Sequence, residues 1–543
     1  ATPRRMRNPL GGFDGFCFDP SGRDVPLFSG NGVRSDWSSW RSAEEWALPR
    51  AIDCRLLGEA VFVVGDRAVA WVRSDAPLAG PAQREAAADD LRKLTGQRFA
   101  DRDRLRRVLT GLPQGAALTA AGVFNELQRL CLVDDCGSAA LLPGADGQST
   151  LGPPAVAVQW VNQSPVDRAD TRSADLSAWT VQSPSAIRLC IDPARGRFIH
   201  DISGHFPRDL RVRYRVGMAL PVGAGAWNRD LDTRPADTTW QDGQATGGTP
   251  VQGIAHIRDS ATYRNPPDQS AVVDTTVRAA EGQRPYIRLM NHWRLSASGV
   301  QRHLTLDGLW IGGRPYGNVW LFGDYEEVRL RHVTLDPGGT DANGQALSPC
   351  ELVVHGVVEH LVIEHSVLCT VRLQGTGANL QRITLADCIV DASQPGMRGI
   401  AAPRAELRMD RCTVIGNTLH SLALDVERLQ ATDSLIAARA DVTDVQSGCF
   451  RFGAHGPLSR LPRPYESHTL QDLPGVFASR RFGHPHYASL SEGAPAALRT
   501  GSEQGSHIGA GCAAMAPIKF DSLRSKLDEY MPFGRLPAFL IEN

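Results

Sequence analysis

Six segments between about residues 304 and 436 share one pattern, and the first of them reads Leu304-Thr-Leu-Asp-Gly-Leu-Trp-Ile311. Counted from zero, positions 0, 2 and 7 are apolar, and position 5 is small or apolar. The starts of consecutive segments are 24, 33, 22, 24 and 22 residues apart, a period typical of solenoid folds. The other five segments are Val328-Arg-Leu-Arg-His-Val-Thr-Leu335, Leu361-Val-Ile-Glu-His-Ser-Val-Leu368, Ile383-Thr-Leu-Ala-Asp-Cys-Ile-Val390, Leu407-Arg-Met-Asp-Arg-Cys-Thr-Val414 and Leu429-Gln-Ala-Thr-Asp-Ser-Leu-Ile436.

The spacing within each segment predicts two short strands joined by a bend. Apolar residues at positions 0 and 2 indicate a strand with one buried face. The step from position 2 to position 5 breaks the alternation, so the chain must bend before a second strand that buries positions 5 and 7. The bend carries polar residues, as an outer corner should: Asp307-Gly308, Arg331-His332, Glu364-His365, Asp387, Asp410-Arg411 and Asp433.

A coil of about 22 residues with two or three short strands is one rung of a right-handed parallel β-helix. A single rung cannot bury its inner face, so the stacking of rungs makes the core. A leucine-rich repeat is the main alternative fold, but the sequence has no ladder of asparagines and no helical half-repeat. We therefore predict a mainly β chain in which residues 246–450 form this solenoid, with early strands at Ile254–Ile257, Asp274–Val277 and Tyr286–Leu289.

Two smaller domains are predicted before the solenoid. Residues 1–150 form an α+β attachment domain with a hairpin at Ala60–Val72 and helices at about Pro81–Leu94, Arg102–Leu109 and Thr119–Leu132. Residues 151–245 form a small antiparallel β domain followed by a linker. Its signals are the alternating runs Ile187–Ile191 and Leu210–Val216, the turn Asp192–Gly196 and the linker Asp230–Pro250.

Residues 451–543 are predicted to wrap around the solenoid and to end in a helix. The stretch 448–480 is rich in Pro, Gly and Arg, which suits a chain that runs back along the surface. The residues Ile518–Tyr530 have one apolar face and predict the terminal helix. The apolar tail Leu536–Ile541 is expected to pack against the solenoid's own end or against a partner.

Composition narrows the classes of function. The formal net charge is −1, which argues against a dedicated nucleic-acid or anionic-membrane binder. No run approaches eighteen apolar residues, so no membrane span is predicted. The basic N-terminus lacks a following apolar region, so we expect no secretory signal, and we expect assembly in the cytoplasm.

The eleven cysteines show no metal-ligand spacing. Cys388 and Cys412 are expected to stack as interior thiols rather than to form a disulfide.

Several stretches resemble the right-handed β-helix (pectin-lyase-like) proteins of extracellular contractile injection systems, which are phage-tail-like particles. They are Tyr286–Gly313, Ile191-Asp-Pro-Ala-Arg-Gly-Arg197, Val212-Arg-Tyr-Arg-Val-Gly217, Arg481-Phe-Gly-His-Pro-His-Tyr-Ala-Ser-Leu490, Gly501-Ser-Glu-Gln-Gly-Ser-His-Ile-Gly509 and Leu523-Arg-Ser-Lys-Leu-Asp-Glu-Tyr-Met-Pro-Phe-Gly534. The resemblance implies a non-enzymatic structural component of the particle, at the baseplate or in a fibre or spike. Its implied partners are other tail and baseplate subunits, and it implies no cofactor and no catalytic residue.

The rival class is a polysaccharide lyase or hydrolase, because such enzymes also use β-helices. Their sites need clustered carboxylates on one outer face, as an acid/base pair or as Ca²⁺ ligands. Here each corner carboxylate is expected to stand alone among basic groups, as on a solvated corner: Asp307, Glu364, Asp387, Asp410 and Asp433 alternate with His332, His365 and Arg411. His484-Pro-His486 lacks a third metal ligand nearby. We therefore predict no catalytic, cofactor-binding or metal site.

A third class is a receptor- or glycan-binding module, which is compatible with a structural role. The loop insertions Pro337–Pro349 and Ser393–Pro403 would supply a surface, and the aromatic cluster of the solenoid is Tyr316, Trp320 and Tyr325. These rings suit a binding flank, a rung interior or an end cap equally well. Arg211, Arg213 and Arg215 share a strand face that could hold an anion, although a solvated face is favoured.

Overall fold

A computed structural model describes a mainly β structure with large parallel sheets. The described residues are 1–7, 13–28, 51–52, 142–143, 149–150, 156–166, 171–180, 188–201, 209–227, 229, 233–245, 253–272, 274–299, 302–313, 315, 317–515, 522 and 525. They separate into two compact units, Ala1–Gly217 and Met218–Asn543. The hairpin predicted at Ala60–Val72 and the three helices predicted after it lie outside the described residues, and the domain boundaries at 150, 245 and 450 stay predictions.

In the first unit, the start of the chain pairs with strands near residue 200. The strand order of this five-stranded sheet is Arg4–Arg7, Phe13–Cys17, Arg197–Asp201, Leu189–Asp192 and Thr171–Ser173. Neighbours are antiparallel except for the last two, which are parallel. Two antiparallel pairs complete the described strands of this unit: Leu142–Pro143 with Ser149–Thr150, and Ala157–Trp160 with Leu210–Arg213.

The turn predicted at Asp192–Gly196 joins two of these antiparallel strands. Gly196 has a φ of +60°, and a Cβ there would lie 2.2 Å from a facing carbonyl oxygen, so the position requires glycine. The alternation predicted from Leu210 is found as well, with Leu210 and Val212 buried, but the strand ends at Arg213. The core of this unit includes Phe16, Phe18, Leu27, Ile191 and Phe198.

Two parallel sheets dominate the second unit. The first sheet has seventeen strands: Thr238–Trp240, Gly253–Ile257, Gln269–Val272, Asp274–Ala279, Trp293–Ala297, His303–Asp307, Val319–Phe322, Asp324–Arg331, Leu352–Val354, Val357–Glu364, Val371–Leu373, Asn379–Ala386, Ile400–Asp410, Leu422–Thr432, Arg439–Val442, Gly448–Arg451 and Pro464–Tyr465. The second sheet has ten: Thr262–Arg264, Tyr286–Leu289, Trp310–Gly313, Thr334–Leu335, Val367–Leu368, Ile389–Ala392, Thr413–Gly416, Leu435–Ala437, Ala454–His455 and His468–Thr469. The chain passes from one sheet to the other repeatedly, which is a solenoid-like arrangement.

The six repeated segments, here called rungs one to six in chain order, stack in register. Position 2 of each rung pairs with position 2 of the next, in one column. Its members are Leu306, Leu330, Ile363, Leu385, Met409 and Ala431. All four inward positions are buried in all six rungs, which confirms the strand–bend–strand interpretation of the sequence.

The repeat extends further in both directions than the sequence pattern indicated. The strand Thr238–Trp240 lies inside the stretch predicted as a linker, and it pairs in parallel with Gly253–Ile257. Residues 448–469 do not run back along the surface as predicted, because strands continue through His468–Thr469. The step from Leu429 to its partner Gly448 is only 19 residues. These shorter rungs do not fit a period of about 22 residues, so the sequence pattern did not reveal them.

Helical structure is sparse in the part of the chain that the structure describes. It consists of the helix Ala496–Arg499, the 3-10 turn Cys512–Ala514, the single 3-10 residue Asp209 and two isolated helical residues, Ser522 and Ser525. The last two fall inside the predicted terminal helix. None of the described helices is long and apolar enough to cross a membrane. The predicted loop insertion after Pro337 contains a small hairpin, Gly339–Thr340 with Ala346–Leu347.

Replacing Leu385 with Asp tests the stacking directly. Leu385 is 1% exposed, and an uncompensated carboxylate there should lower the free energy of unfolding by at least about 4 kcal/mol. Chemical denaturation followed by circular dichroism measures the change. Gln381→Asp, on the exposed side of the same strand, is the matched control and should change stability by less than about 0.5 kcal/mol. Equal stability of the two variants would show that Leu385 does not face the core.

Candidate functional site

The bend of each rung is formed by the residue at position 4, whose backbone has the left-handed conformation. The φ values of these residues lie between +47° and +74°, a region that costs most residues other than glycine about 1–2 kcal/mol. Each of their amides donates to a carbonyl oxygen of the next rung at 2.9–3.2 Å, so stacking compensates the strain. We call this set the corner row: Gly308, His332, His365, Asp387, Arg411 and Asp433.

Three of the five corner carboxylates are not solvated as the sequence analysis expected, whereas the side chains of Glu364 and Asp410 are 34% and 46% exposed. Asp307, Asp387 and Asp433 are only 4%, 5% and 6% exposed. The buried Arg229 reaches Asp307 Oδ1 with its Nη1 at 2.9 Å and donates from Nη2 to the carbonyl oxygens of Ala279 and Ala280. Burial raises the pKa of Asp307, and Arg229 opposes that rise. Gly308 is needed beside it, since an added Cβ would lie 1.6 Å from the Arg229 guanidinium.

Further along the corner, one arginine joins two carboxylates. Arg411 donates from Nη2 and Nε to Asp387 at 2.8–3.1 Å, and from Nη1 to Asp410 at 2.5 Å. The hydrogen bond to Asp387 is the largest cause of a raised Arg411 pKa, so the guanidinium stays charged. Asp433 accepts the backbone amide of Glu503 at 2.8 Å. The structure therefore brings Asp387 and Asp410 together but places a fixed cation between them.

An apolar row at position 6 explains why this corner is covered. The side chains of this row point away from the core, and the sequence analysis did not single them out: Trp310, Thr334, Val367, Ile389, Thr413 and Leu435. Residues 220–227, 229 and 470–512, here called the covering chain, pack on this row. Their buried apolar residues, such as Leu220, Val476 and Ile508, form a second core with Val367, Ile389 and Leu435. Apolar or threonine residues at position 6 were the available sequence signal.

The covering chain is held on the corner by two equivalent clamps. Gly223 donates its amide to the carbonyl oxygen of His365 at 2.7 Å, and Ala224 donates to Thr334 Oγ1 at 2.9 Å. In the second clamp, the amides of Gly509 and Ala510 bind the Asp433 carbonyl and Thr413 Oγ1, both at 2.8 Å. In each clamp, two backbone amides thus bind a threonine hydroxyl on one rung and the carbonyl oxygen of a corner residue on the next.

The two clamps also share a sequence, Val222-Gly-Ala-Gly225 and Ile508-Gly-Ala-Gly511. Gly223 and Gly509 have φ values of +86° and +109°. A Cβ on either would lie 2.6 or 2.5 Å from the threonine hydroxyl that the next amide binds. Only glycine meets both the backbone conformation and the close approach, so a nearly identical tetrapeptide recurs at the two places.

His332, one of two histidines on the corner, is held neutral by its surroundings. The rings of His332 and His365 stack with centroids 5.0 Å apart and planes at 8°. Burial, with the nearby His365, Arg229 and Arg331, lowers the pKa of His332 to about 3. His332 therefore stays uncharged at neutral pH, with its ring stacked on that of His365.

The other residues that the sequence analysis weighed as candidates are scattered. Ring centroids of His484 and His486 are 6.0 Å apart, and the His486 amide donates to His484 Nδ1. Across the described ranges, no group of three His, Cys, Asp or Glu residues could hold a metal ion. Tyr325 is fully buried, Trp320 is half-buried on the outward face of the first sheet, and Tyr316 lies outside the described residues.

Position 5 shows how the interior accepts small polar groups. Cys388 and Cys412 are free, buried thiols on adjacent rungs, as predicted. Ser366 and Ser434 occupy the same position in rungs three and six, and their hydroxyls donate to the carbonyl oxygen two residues earlier at 2.7 and 2.8 Å. The thiol of Cys412 makes the same contact at 3.3 Å. The hydroxyls and thiols at position 5 are therefore satisfied within their own rung.

Comparison with known proteins assigns no family to this arrangement. No protein-family model matches the chain, and no curated protein matches it.

Thr413→Val tests the clamps. Valine keeps the shape of threonine but leaves the Ala510 amide without an acceptor, which should cost about 1–3 kcal/mol of unfolding free energy. Thr334→Val should cost a similar amount at the first clamp. Thr305→Val, half-buried on the outward face of the first sheet, is the control and should change stability by less than about 0.5 kcal/mol. Similar effects of all three substitutions would contradict the clamp assignment.

The lowered pKa of His332 predicts that the folded protein loses stability in acid. Its unfolded pKa is about 6.5, so between pH 6.5 and pH 3 the unfolded chain binds one more proton there than the folded chain. Stability should fall as the pH falls through this window. His332→Asn, which tolerates the left-handed corner, should reduce the pH dependence of unfolding by about one proton between pH 6 and pH 4.5. Denaturant titrations at several pH values measure both slopes, and identical slopes would contradict a neutral His332.

Proposed function

We propose that this chain is a non-enzymatic structural protein of a contractile injection system or related phage-tail-like particle, built on a right-handed parallel β-helix. In-register parallel ladders in two sheets support a closed helix. The handedness is supported by a general rule, since parallel β crossovers are right-handed in about 98% of cases. The resemblance of the quoted segments supports the particle, at the baseplate or in a fibre or spike.

The observation that carries the non-enzymatic assignment is the covered corner row. Glycosidic cleavage by a carboxylate pair needs two carboxyl groups about 5–9.5 Å apart that face the substrate. Here Asp307 is occupied by Arg229, Asp387 and Asp410 share Arg411, and Asp433 holds the covering chain. These carboxylates hold segments of the fold together, which suits a rigid structural rod.

The proposed partners are other tail and baseplate subunits, with a cell-surface glycan or receptor as a further ligand. Assembly would occur in the cytoplasm, and the finished particle would carry the chain out of the cell. The predicted attachment domain, residues 1–150, would join the solenoid to neighbouring subunits.

Affinity purification of the tagged full-length chain from its native host tests this proposal. Sheath, tube and baseplate proteins should co-purify, and negative-stain images should show particles. The matched control is tagged Leu385→Asp, whose disrupted core should abolish the association. Recovery of the wild-type chain without other particle proteins would contradict the proposal and favour a polysaccharide lyase or hydrolase, to be assayed next on pectin-like and capsular substrates.

A further inference from the structure

Both parallel sheets end at a rung that no described strand covers, residues 462–469, here called the last rung. Its strands Pro464–Tyr465 and His468–Thr469 are the final members of the two ladders. All four of these residues are exposed, whereas the inward positions of rungs one to six are buried. The outer side of the last rung is therefore an open sheet edge, the kind of surface that can pair with another chain.

The row of corner hydrogen bonds also stops at the last rung. Phe452 and Glu466 continue the corner row, with φ values of +50° and +46°. The Phe452 amide donates to the carbonyl oxygen of Tyr465 at 3.0 Å, as the earlier corner amides do to theirs. The Glu466 amide has no acceptor among the residues that the structure describes. The last rung thus keeps a left-handed corner, which is unfavourable for a residue other than glycine, without the hydrogen bond that compensates it elsewhere.

The inward positions of the last rung do not suit an apolar occupant. In register with rungs one to six, they are Pro462, Pro464, Ser467 and Thr469. A second copy that continued the apolar core would meet a proline, a serine and a threonine there, and so would the apolar tail Leu536–Ile541. Pro464 also lacks a backbone donor, so hydrogen bonding to a further strand falls to His468–Thr469. The occupant of this edge is therefore a polar segment.

Arginines set the charge of this end. Residues 448–469 contain one acidic residue, Glu466, and three arginines, so their formal charge is +2 with histidine neutral. The arginines are Arg451, Arg460 and Arg463, and all three are exposed. In the described part of the chain none of them forms an ion pair, because Arg451 and Arg460 donate to a threonine hydroxyl and a backbone carbonyl instead.

We propose that the last rung docks an acidic, extended segment of another subunit of the particle. Such a segment would hydrogen bond to the open edge through its backbone and neutralise the arginines with its carboxylates. Tyr465 is 61% exposed and pairs with Arg451 in the ladder, and tyrosine and arginine are the residue types that most often dominate interfaces. The inference rests on the proposed function, since it specifies the docking end and the chemistry of a partner subunit.

Photo-crosslinking from the last rung tests the proposal. The tagged full-length chain, with p-benzoylphenylalanine in place of Tyr465, is expressed in the native host, irradiated and digested, and the attached peptide is identified by mass spectrometry. We expect a peptide of another subunit with more acidic than basic residues. The same photoreactive residue in place of Gln381, exposed on the first sheet, is the control and should not attach that peptide. Attachment to any peptide of this chain, whether its own tail or a second copy, or to none, would overturn the proposal.

Replacing Arg463 in the photoreactive chain tests the charge of the partner. Arg463→Glu should lower the yield of the attached peptide at least about fivefold, because an acidic segment would then meet a like charge. Arg463→Lys keeps the charge and should retain most of the yield. Arg404→Glu changes an exposed arginine of the strand Ile400–Asp410 and is the matched control, which should leave the yield unchanged. An unchanged yield with Arg463→Glu would overturn the acidic chemistry of the partner.

Two further readouts keep the result specific. Arg463 is exposed, so its variants should melt close to the wild type, which separates lost docking from lost folding. Particle association distinguishes the two proposals. A chain that joins particles but attaches no acidic peptide contradicts only the docking, and an acidic peptide from a protein outside any particle contradicts only the particle role.

Discussion

The structure depends on the stacking of inward apolar side chains between successive rungs. A rung has two short strands and a bend, and its four inward residues are shielded only when another rung lies on each side. Burying one leucine contributes about 1.5–3 kcal/mol relative to leaving it exposed, so a column such as Leu306, Leu330 and Ile363 stabilises each rung through its neighbours. The same in-register stacking aligns the corner amides with the carbonyl oxygens of the next rung.

That alignment makes the corner a repeated binding surface for the chain's own segments. Six left-handed residues in a row place their carbonyl groups at equivalent points, and threonines at position 6 add an acceptor on two rungs. The covering chain uses this geometry twice, with almost the same tetrapeptide. A periodic scaffold thus gives a periodic docking site, and glycine is the residue that can approach it.

The pairing of the charged groups at the corner follows from the presence of the covering chain. Three carboxylates that would be solvated on a bare rung, Asp307, Asp387 and Asp433, are enclosed, and each has a guanidinium or a backbone amide as its partner. Groups committed in this way are poorly placed for acid–base chemistry, because a substrate would have to displace part of the fold.

The sequence by itself determined the repeat, the strand–bend–strand form of each rung and the inward positions, because apolar spacing is a local property that any stacked neighbour must satisfy. It also indicated the interior thiols and the hairpin turn at Gly196. Only the tertiary structure decided that the corner is covered. Partners such as Arg229 and Asp307, or Ala510 and Thr413, stand far apart in the chain, and no local pattern relates them. The short rungs after Leu429 were likewise hidden, since their register is set by contact with the previous rung and not by a constant period.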